Sequence, residues 1–407
     1  MLYYEEPAKK LPVREFDVVI AGGGTAGVMA AIASARQGAK TALIELKGYT
    51  GGIVTEGGTA LHSFFNLWKA FPGVEKRQVV KGIPQELIDR LVARGGCSGH
   101  VEVTTYYDYD SVCTAIDTEI YKLVTHEMLA EAGVEMFLNT MLVGAIMDDD
   151  TIRGVIVESR SGREAFYAKS FVDCTGYGDL SAYAGAKFTE PNDHPVANSI
   201  GVANVDVDRF NDFCKGQALA QAAYGTRSGE ENKLIRVGFE KGVFPEEIQK
   251  EVERIGMSFI TTTLHDNYLM FIKLNYKMPQ SPTDRDAVAK AELELRERME
   301  AAIKILRKIP GCEKAFMART SPSLAIRRGR CIECDYDISL SDILNGVHFE
   351  DDIMSYAFHD CAPRLKVKDG GTYGIPYKAL RVKGIRNLLV AGMLITSDWE
   401  AHMSTRN

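Results

Sequence analysis

The sequence predicts an α/β fold in which a parallel sheet with an adjoining β-meander is interrupted by an inserted, mostly helical α+β domain. Three patterns support this prediction: strand–glycine turn–helix–strand at 16–45, four short β patterns between 134 and 172, and helical periodicity over 207–309. The 407 residues suffice for two or three domains at about 150 residues each. We therefore expect a first domain at 1–190, an inserted substrate or cap domain at 191–325, and a return to the first domain at 326–407.

Composition and charge restrict the classes of function. Apolar residues make up 45% of the chain, charged residues 25%, and the formal net charge is −7, which is typical of a globular protein with large cores. Because no long Lys/Arg run offers the electrostatic footprint of nucleic-acid binding, we expect a small-molecule ligand and no nucleic acid. The absence of long apolar runs and the scattered cysteines predict no signal peptide, no membrane span and a cytoplasmic location.

A glycine-rich turn joins a predicted buried strand to an Ala-rich helix near the start of the chain. It consists of Gly22, Gly23, Gly24, Thr25, Ala26 and Gly27. Glycines in such a turn permit tight reversal, close approach to a pyrophosphate and close helix–strand packing, while the helix N-terminus offers N–H groups to the anion. Glu45 ends the next strand, where a carboxylate can accept both ribose hydroxyls. We therefore predict a Rossmann-like dinucleotide-binding unit rather than a purely structural βαβ turn.

The first turn does not distinguish NAD from FAD, because both cofactors present an adenosine ribose to the acid. A second glycine-rich loop, at 48–55, follows where a longer cofactor would continue, and further glycine turns follow predicted buried strands near 176 and 392. Backbone approaches to one extended ligand from both ends of the chain and its middle favour a flavin. We therefore predict FAD, with additional contacts from Leu46, Lys47, Gly51, Gly52, Thr175, Gly176, Gly178, Asp179, Gly392 and Met393.

Together these segments resemble the FAD-dependent oxidoreductases related to the succinate dehydrogenase and fumarate reductase flavoproteins, within the glutathione-reductase-like superfamily. The resemblance covers the first βαβ unit, Gly51-Gly52, residues 78–87, the turn at 175–179, and 374–377 through 400–406. It implies an extended FAD with the first glycine turn at the pyrophosphate and Glu45 on the adenosine ribose. It further implies that Val143 brings backbone to the adenine, and that Gly176 and Gly392 pass close to the cofactor.

The resemblance is loose between about 189 and 323, so it carries no substrate identity to this chain. It also leads us to expect a long helix beyond Arg406, a segment that the present sequence does not include. No motif specifies the substrate or the electron acceptor.

Hydride transfer to a flavin requires a base and a substrate anchor near the ring. His402 and Glu400 follow the third glycine turn and are the candidates for the base, and Arg406 is the candidate for balancing charge on the reduced flavin. The alternative is structural: Glu400 caps the long helix expected beyond Arg406, and His402 packs beneath that helix. The residues leave both interpretations open.

Two further candidates lie between the insertion and the last glycine turn. Arg327 heads the cluster Arg327-Arg328-Gly329-Arg330, and an arginine fork is suited to clamping a substrate carboxylate. The cluster as a whole is more typical of a solvated face, although the family resemblance places Arg327 beside the entrance of the flavin domain. His359 precedes Asp360, but neighbouring residues of a strand point to opposite sides, so a relay does not follow.

Cys331 and Cys334 have the spacing of redox dithiols and zinc knuckles. The alternation around them predicts a strand, in which positions three apart face opposite sides. Without a second CxxC, we expect no metal site. The leading hypothesis is therefore an FAD-dependent oxidoreductase acting on a small organic substrate. A flavin-linked dithiol oxidoreductase using Cys331 and Cys334, and a non-catalytic dinucleotide-binding subunit, are the alternatives.

Overall fold

The structure of the protein is a computed structural model. It describes residues 2–58, 60–62, 78–103, 112–216, 220–239, 244–357 and 367–406.

Secondary-structure elements fall into three consecutive stretches. The first contains β1 (Val13–Glu15), β2 (Val18–Ala21), α1 (Thr25–Arg36), β3 (Thr41–Ile44), β4 (Leu61–His62), α2 (Ile83–Ala93), β5 (Val101–Glu102), β6 (Val112–Ala115), α3 (Thr118–Glu131), β7 (Glu135–Phe137), β8 (Met141–Asp148), β9 (Thr151–Ser159), β10 (Gly162–Tyr167), β11 (Ser170–Asp173), α4 (Asp179–Tyr183) and β12 (Phe188–Thr189). The second contains β13 (Val196–Ala203), α5 (Val207–Lys215), β14 (Ala220–Arg227), β15 (Glu230–Phe239), α6 (Glu246–Arg254), β16 (Met257–Ser258), β17 (Ile260–Thr262), β18 (Tyr268–Tyr276), α7 (Arg285–Leu306) and β19 (Phe316–Thr320). The third contains β20 (Cys331–Ile332), α8 (Leu340–Leu344), β21 (Asp352–Tyr356), β22 (Tyr373–Pro376), β23 (Leu388–Val390) and α9 (Trp399–Thr405), with single 3₁₀ turns at Lys368–Gly370 and Tyr377–Ala379.

A five-stranded parallel sheet, ordered β23-β11-β2-β3-β7, forms the centre of the first domain. Its middle strands are short apolar runs such as VVIA and TALI, which is typical of parallel strands covered on both faces. The register pairs Asp173 with both Ala21 and Val390, and Ala21 with Ile44. Since these residues end their strands, the turns that follow them share one edge of the sheet, where ligands of open α/β sheets bind.

The predicted meander is a separate sheet, ordered β1-β10-β9-β8. Residues 164–172, which the sequence predicts as one strand of the meander, belong to two strands, because the chain crosses there from one sheet to the other. Ala168 N–H still donates to Arg153 O in the meander, whereas Lys169 and Ser170 donate to Asp17 O beside the parallel sheet. Rings of Phe16, Phe137 and Phe166 pack within 6 Å of one another between the two sheets.

The sequence predicts an amphipathic helix at 115–132 and a charged helix at about 284–308, and the structure confirms both as α3 and α7. In α3 the Asp117 carboxylate caps the N–H groups of Glu119 and Ile120, and Gly133, with φ +79°, follows the C-terminal end. In α7 the Asp284 side chain accepts from Ala287 N–H. At 22 residues α7 is the longest described helix, but none of the helices in the described ranges is long and apolar enough to cross a membrane.

The insertion is α+β as expected and contains the helices α5, α6 and α7, but the helical prediction was wrong for β14, β15 and β16 to β18. Together with β13 and β19, these strands form two sheets, ordered β16-β18-β13-β19 and β14-β15-β17. Ser228 and Gly229, with φ of +49° and +84°, are the two residues between β14 and β15, a backbone typical of a type I′ hairpin turn. Buried apolar side chains stabilise these strands, because Leu269, Ile272 and Leu274 of β18 pack in the same core as α7.

Candidate cofactor and active site

Two positions of the first glycine turn can be occupied only by glycine. Gly22 has φ +98°, and a Cβ added there would lie 2.5 Å from Cys174 O. A Cβ on Gly27 would lie 1.9 Å from Gly22 O, so any side chain would push α1 away from β2. The turn is also fixed from the neighbouring strand, because Gly22 N–H donates to Ile44 O at 2.8 Å.

The N-terminus of α1 is open at this turn. Gly24 is the N-cap and supplies no side-chain acceptor to the first N–H groups of the helix. A Cβ on Gly24 would meet nothing nearer than Gly52 Cα at 3.7 Å, and Thr25 Oγ1 donates to Gly51 O. Uncapped N–H groups at a helix start, beside a second glycine loop, fit a pyrophosphate.

Glu45 lies at the end of β3, at the same edge. Its Oε2 accepts from Gly23 N–H at 2.7 Å and its Oε1 from Lys47 N–H at 2.8 Å. Burial raises the pKa of this carboxyl above its ordinary value. A carboxylate accepts about four hydrogen bonds, so ribose hydroxyls still find acceptor capacity there. Lys47 forms an ion pair with Glu56 at 3.1 Å, and Leu46 is exposed.

Val143 follows three residues after the point where the chain contacts Glu45. Thr140 N–H donates to Glu45 O at 3.0 Å just before β8 begins. The β8–β9 pairing shifts register at Val143: Leu142 pairs with Val157 and Gly144 with Ile156. A residue in such a bulge is left out of the ladder. Backbone groups outside the ladder are what an adenine contact at Val143 needs.

The middle and last glycine turns lie next to the first. Cys174 N–H donates to Ala21 O and Ala391 N–H to Asp173 O, so the three chains run side by side into their turns. Gly176 and Gly392 both have positive φ, +73° and +78°. A Cβ on Gly392 would lie 3.4 Å from Ala26 Cβ, and one on Gly176 would lie 3.8 Å from Met393 Cε. The turns at 22, 176 and 392 therefore converge on one edge of the sheet.

Asp173, which the sequence did not single out, organises the middle turn. Its carboxylate accepts from the N–H and hydroxyl of Thr175 and from the N–H and hydroxyl of Ser181. Thr175 Oγ1 in turn accepts from Asp179 N–H, and Gly178 is the N-cap of α4 with φ +71°. The sequence signal for this role was an aspartate at the end of an apolar run, directly before a glycine turn. Thr175 thus shapes the turn through its hydroxyl, which accepts from the Asp179 N–H and donates to Asp173.

Helix α9 carries the predicted base. Asp398 caps it by accepting from Ala401 N–H at 3.1 Å, and Glu400 is half-buried in its first turn. His402 is fully buried, and its Nε2–H donates to Arg327 O at 2.8 Å. Burial, reinforced by the nearby Arg328, lowers the pKa of His402 to about 3. His402 is therefore neutral, with a lone pair on Nδ1. Arg406 ends the helix as its C-cap residue.

The arginine cluster at 327–330 is not a solvated face, contrary to the sequence-based expectation. A Cβ on Gly329 would lie 3.3 Å from Gly176 O, so this segment rests on the middle glycine turn. The close packing buries the flanking side chains: Arg328 is 4% exposed, and Arg330 Nη1 donates to Tyr177 O and to Asp179, both at 2.9 Å. Arg327 is half-buried, and it is the Arg327 carbonyl that holds His402.

Comparison with known proteins agrees with this geometry. A model of the FAD dependent oxidoreductase family matches residues 17–407. The chain belongs to the FAD-dependent oxidoreductase family. It is accordingly an enzyme with flavin-linked redox chemistry, and its cofactor is FAD.

Solved structures similar to this FAD-dependent oxidoreductase are distant. A geranylgeranyl bacteriochlorophyll reductase-like protein from Thermoplasma acidophilum is 13% identical, with a TM-score of 0.44 over 79% of this chain and 67% of that one. p-Nitrophenol 4-monooxygenase from Pseudomonas putida is 14% identical, with 0.43 over 80% and 71%. Anhydrotetracycline hydroxylase from Streptomyces rimosus is 14% identical, with 0.43 over 80% of this chain but only 55% of that one. Similarity at this level carries no inference about the oxidoreductase's substrate.

Two other candidates contribute little to the oxidoreductase site. His359 lies outside the described residues. Cys331 and Cys334 are buried free thiols whose neighbours differ, since Cys331 pairs with Thr189 and Cys334 with Val382. Burial raises the pKa of both thiols, that of Cys334 to about 12, which is opposite to what a reactive dithiol needs. Within the described ranges, no group of three or more His, Cys, Asp or Glu side chains is arranged to hold a metal ion.

Proposed function

We propose that this enzyme binds FAD in extended form along the edge where the turns at 22, 176 and 392 converge. We further propose that it transfers a hydride between the flavin and a small organic substrate, with a separate electron acceptor. The convergence of the three turns carries the proposal, because one ligand at this edge can contact all three turns and also reach Glu45 at the end of β3. A relationship to the succinate dehydrogenase and fumarate reductase flavoproteins is part of this proposal, and the cytoplasmic location stays a prediction.

Different residues would contact different parts of FAD. The N–H groups at the start of α1, from Gly24 onward, face the pyrophosphate, while Glu45 accepts the ribose hydroxyls and Val143 offers its backbone to the adenine. Gly176 and Gly392 allow the chain to approach the remainder of the cofactor without side-chain obstruction. Bound FAD supplies the hydride acceptor or donor.

His402 is the proposed proton acceptor, with Glu400 as the other candidate base. Because Nε2–H is held by Arg327 O, the available nitrogen is Nδ1, and it carries a lone pair. The low pKa keeps the imidazole in its accepting form at neutral pH. A proton on His402 is unfavourable beside Arg328 unless an anion neutralises that guanidinium, so we expect proton transfer to follow binding of an anionic substrate. Arg406 is the proposed counter-charge for reduced flavin.

Purification and anaerobic reduction test the proposal. We expect the protein to be yellow or to become so with added FAD, to bleach with dithionite, and to bleach with at least one member of an organic acid and alcohol panel. Protein that is folded by circular dichroism yet takes up no FAD would overturn the binding proposal. FAD that binds and bleaches with dithionite, but with no member of the panel, would instead support the non-catalytic alternative.

A further inference from the structure

A buried cationic side chain lies beside the middle glycine turn with part of its hydrogen-bonding capacity unused. Arg328 Nη2 donates to Ser397 O at 2.5 Å. Nη1 has no hydrogen-bond partner among the described residues, and Nε lies 3.4 Å from Asp193 Oδ1 as an ion pair without hydrogen-bond geometry. The Cys331 thiol, a weak acceptor, is the other neighbour. A guanidinium that is 4% exposed is costly to leave in this state.

His402 adds an unused acceptor on the same side of α9. Its Nδ1 has no hydrogen-bond partner in the described part of the chain, although the residue is 0% exposed. The two side chains are held in adjacent places, because Arg328 binds the carbonyl of Ser397, before α9, and His402 binds the carbonyl of Arg327. Arg328 is also the nearby charge that disfavours the imidazolium form of His402. The pair therefore offers charged N–H donors and a neutral acceptor to one ligand.

This combination selects a particular chemistry. A carboxylate satisfies arginine N–H donors in a charge-assisted contact. A lone pair on a histidine fixed in one tautomer requires an O–H or N–H donor from the ligand. The ligand must therefore carry both groups within a few bonds of each other.

We propose that Arg328 and His402 form a recognition site for a small organic acid that carries a hydroxyl or amino group next to its carboxylate. The carboxylate binds the Arg328 guanidinium, and the neighbouring O–H or N–H donates to His402 Nδ1. The inference rests on the proposed function and names its substrate class. It also replaces the sequence-based choice of Arg327 as the clamp with Arg328, the member of the cluster whose side chain is enclosed.

The location agrees with a substrate site. Gly329 rests on Gly176, so Arg328 lies directly beside the turn that is proposed to approach the flavin. Asp193 lies near the start of the expected insertion at 191–325 and Arg328 just after its end, so a ligand held here would lie where the two expected domains join.

The test uses FAD-loaded protein and follows the flavin absorbance as probes are added. The probes are glycolate, lactate, malate and alanine, each paired with its amide and with the acid that lacks the hydroxyl or amino group. We expect at least one hydroxy or amino acid to perturb the spectrum with saturation, and its amide and deoxy partners to bind at least about 10-fold more weakly. A panel in which no acid binds, or in which acid and amide bind alike, overturns the inference.

Two variants separate the two contacts. Arg328→Gln should abolish the preference for acid over amide, and Arg328→Lys should restore part of it. His402→Gln should abolish the preference for hydroxy acid over deoxy acid while keeping that for acid over amide. Arg381→Gln is the control, because Arg381 is an exposed arginine paired with Asp335, and it should change neither preference. Unchanged preferences in Arg328→Gln and His402→Gln would contradict the proposal.

Flavin content and thermal unfolding of each variant distinguish recognition from folding. A variant that retains FAD and wild-type unfolding but loses its preference supports direct contact. If Arg328→Gln fails to fold, the decision falls to Arg328→Lys, in which a wild-type preference overturns the assignment. If wild-type protein binds FAD that dithionite or a substrate bleaches, but binds no probe, this inference alone is contradicted. If the protein does not bind FAD, the proposed function is contradicted as well.

Discussion

The glycine-lined sheet edge and the inserted domain are constrained in different ways. At the edge, backbone atoms of Gly22, Gly27 and Cys174 approach so closely that residue identity follows from the lack of a Cβ. In the insertion, a core of aliphatic and aromatic side chains from α7, β13 and β18 fills space, and many apolar residues would serve. The comparison teaches that short motifs identify the cofactor edge, whereas the fold of the stretch at 191–325 is specified by packing.

The largest effect is expected where a Cβ has no room. Gly27→Ala places a methyl group 1.9 Å from Gly22 O, so we expect it to lower the free energy of unfolding by more than about 4 kcal/mol. The matched change in the insertion is Gly225→Ala, whose Cβ would meet only side-chain atoms, Ile235 Cγ1 and Val101 Cγ2 at 3.2 Å, which need to shift by a few tenths of an ångström. Urea unfolding should show a much smaller change there, and equal losses in the two variants would contradict the contrast.

Packing in the insertion should respond to volume rather than to a motif. Leu295 on α7 is 0% exposed, and Leu295→Ala should lower the free energy of unfolding by about 2 to 5 kcal/mol because it leaves a cavity. Leu293, on the same helix but 69% exposed, is the control, and Leu293→Ala should stay within about 0.5 kcal/mol of wild type. Thermal unfolding measures both, and a small effect of Leu295→Ala would mean that the core rearranges to fill the space.

Cofactor affinity should be separable from stability at Gly24. A Cβ at this position makes only ordinary contacts within the chain, with Gly52 Cα at 3.7 Å and Cys174 O at 3.9 Å. Gly24→Ala should therefore keep the free energy of unfolding of the FAD-free protein but weaken FAD binding about 10-fold or more, equivalent to about 1.4 kcal/mol. Gly216→Ala, at the C-cap of α5 in the insertion, is the control in the same FAD titration. Unchanged affinity in Gly24→Ala would place the pyrophosphate elsewhere.

A smaller, pH-dependent effect is expected where the two regions meet. His265 of the insertion lies 3.5 Å from Asp117 at the start of α3; this hydrogen bond raises the pKa of His265, and the pKa of Asp117 is lowered although burial opposes that shift. The His265 contribution to stability is present below its unfolded pKa and is lost as pH rises through its raised folded pKa. The Asp117 contribution is lost as pH falls through its lowered folded pKa.

His265→Gln therefore tests the contact without removing the cap residue Asp117. Since the pair is partly exposed, the variant should cost less than about 1 kcal/mol. Urea unfolding at pH 5.5 should show that cost, and at pH 8.5 the variant and wild type should converge. A difference that grows with pH would have the wrong sign for this ion pair.

No effect on catalysis is expected at the buried thiols. Cys331→Ser with Cys334→Ser should leave substrate-dependent flavin bleaching unchanged, because raised thiol pKa values disfavour the thiolate at neutral pH. The double variant should lose a modest part of the free energy of unfolding, because both side chains are buried, and this loss would not contradict the prediction. Loss of bleaching in a folded, FAD-containing double variant would revive the dithiol hypothesis.

Sequence patterns located the cofactor edge because the physical requirement there is local. The run from Gly22 to Gly27 and the acid Glu45 are spaced by the geometry of one βαβ unit, so the sequence shows them directly. Within the insertion, α7 was predicted from its charged helical pattern, but β14, β15 and β18 were not. Their strands depend on pairing with β17 and β13, partners that local periodicity does not contain.

The arginine cluster shows the same limit at the scale of single residues. A run of charged residues is usually solvated, but tertiary packing, with Gly329 against Gly176 and Ser397 and Asp193 beside the guanidinium, buries Arg328. Likewise, Asp398 caps α9, a choice set by where the helix begins. Neither outcome follows from residue type, because both depend on which segment packs against which.

The amino-acid sequence by itself determined the dinucleotide-binding unit, the preference for FAD and the family resemblance, because the glycines and the strand-end acid are all required within one βαβ unit. The tertiary structure decided that the turns at 22, 176 and 392 meet at one edge, and that Arg328 and His402 are buried side by side. Such convergence joins residues far apart in the chain through parallel pairing and close packing, and no local pattern encodes the distance between them.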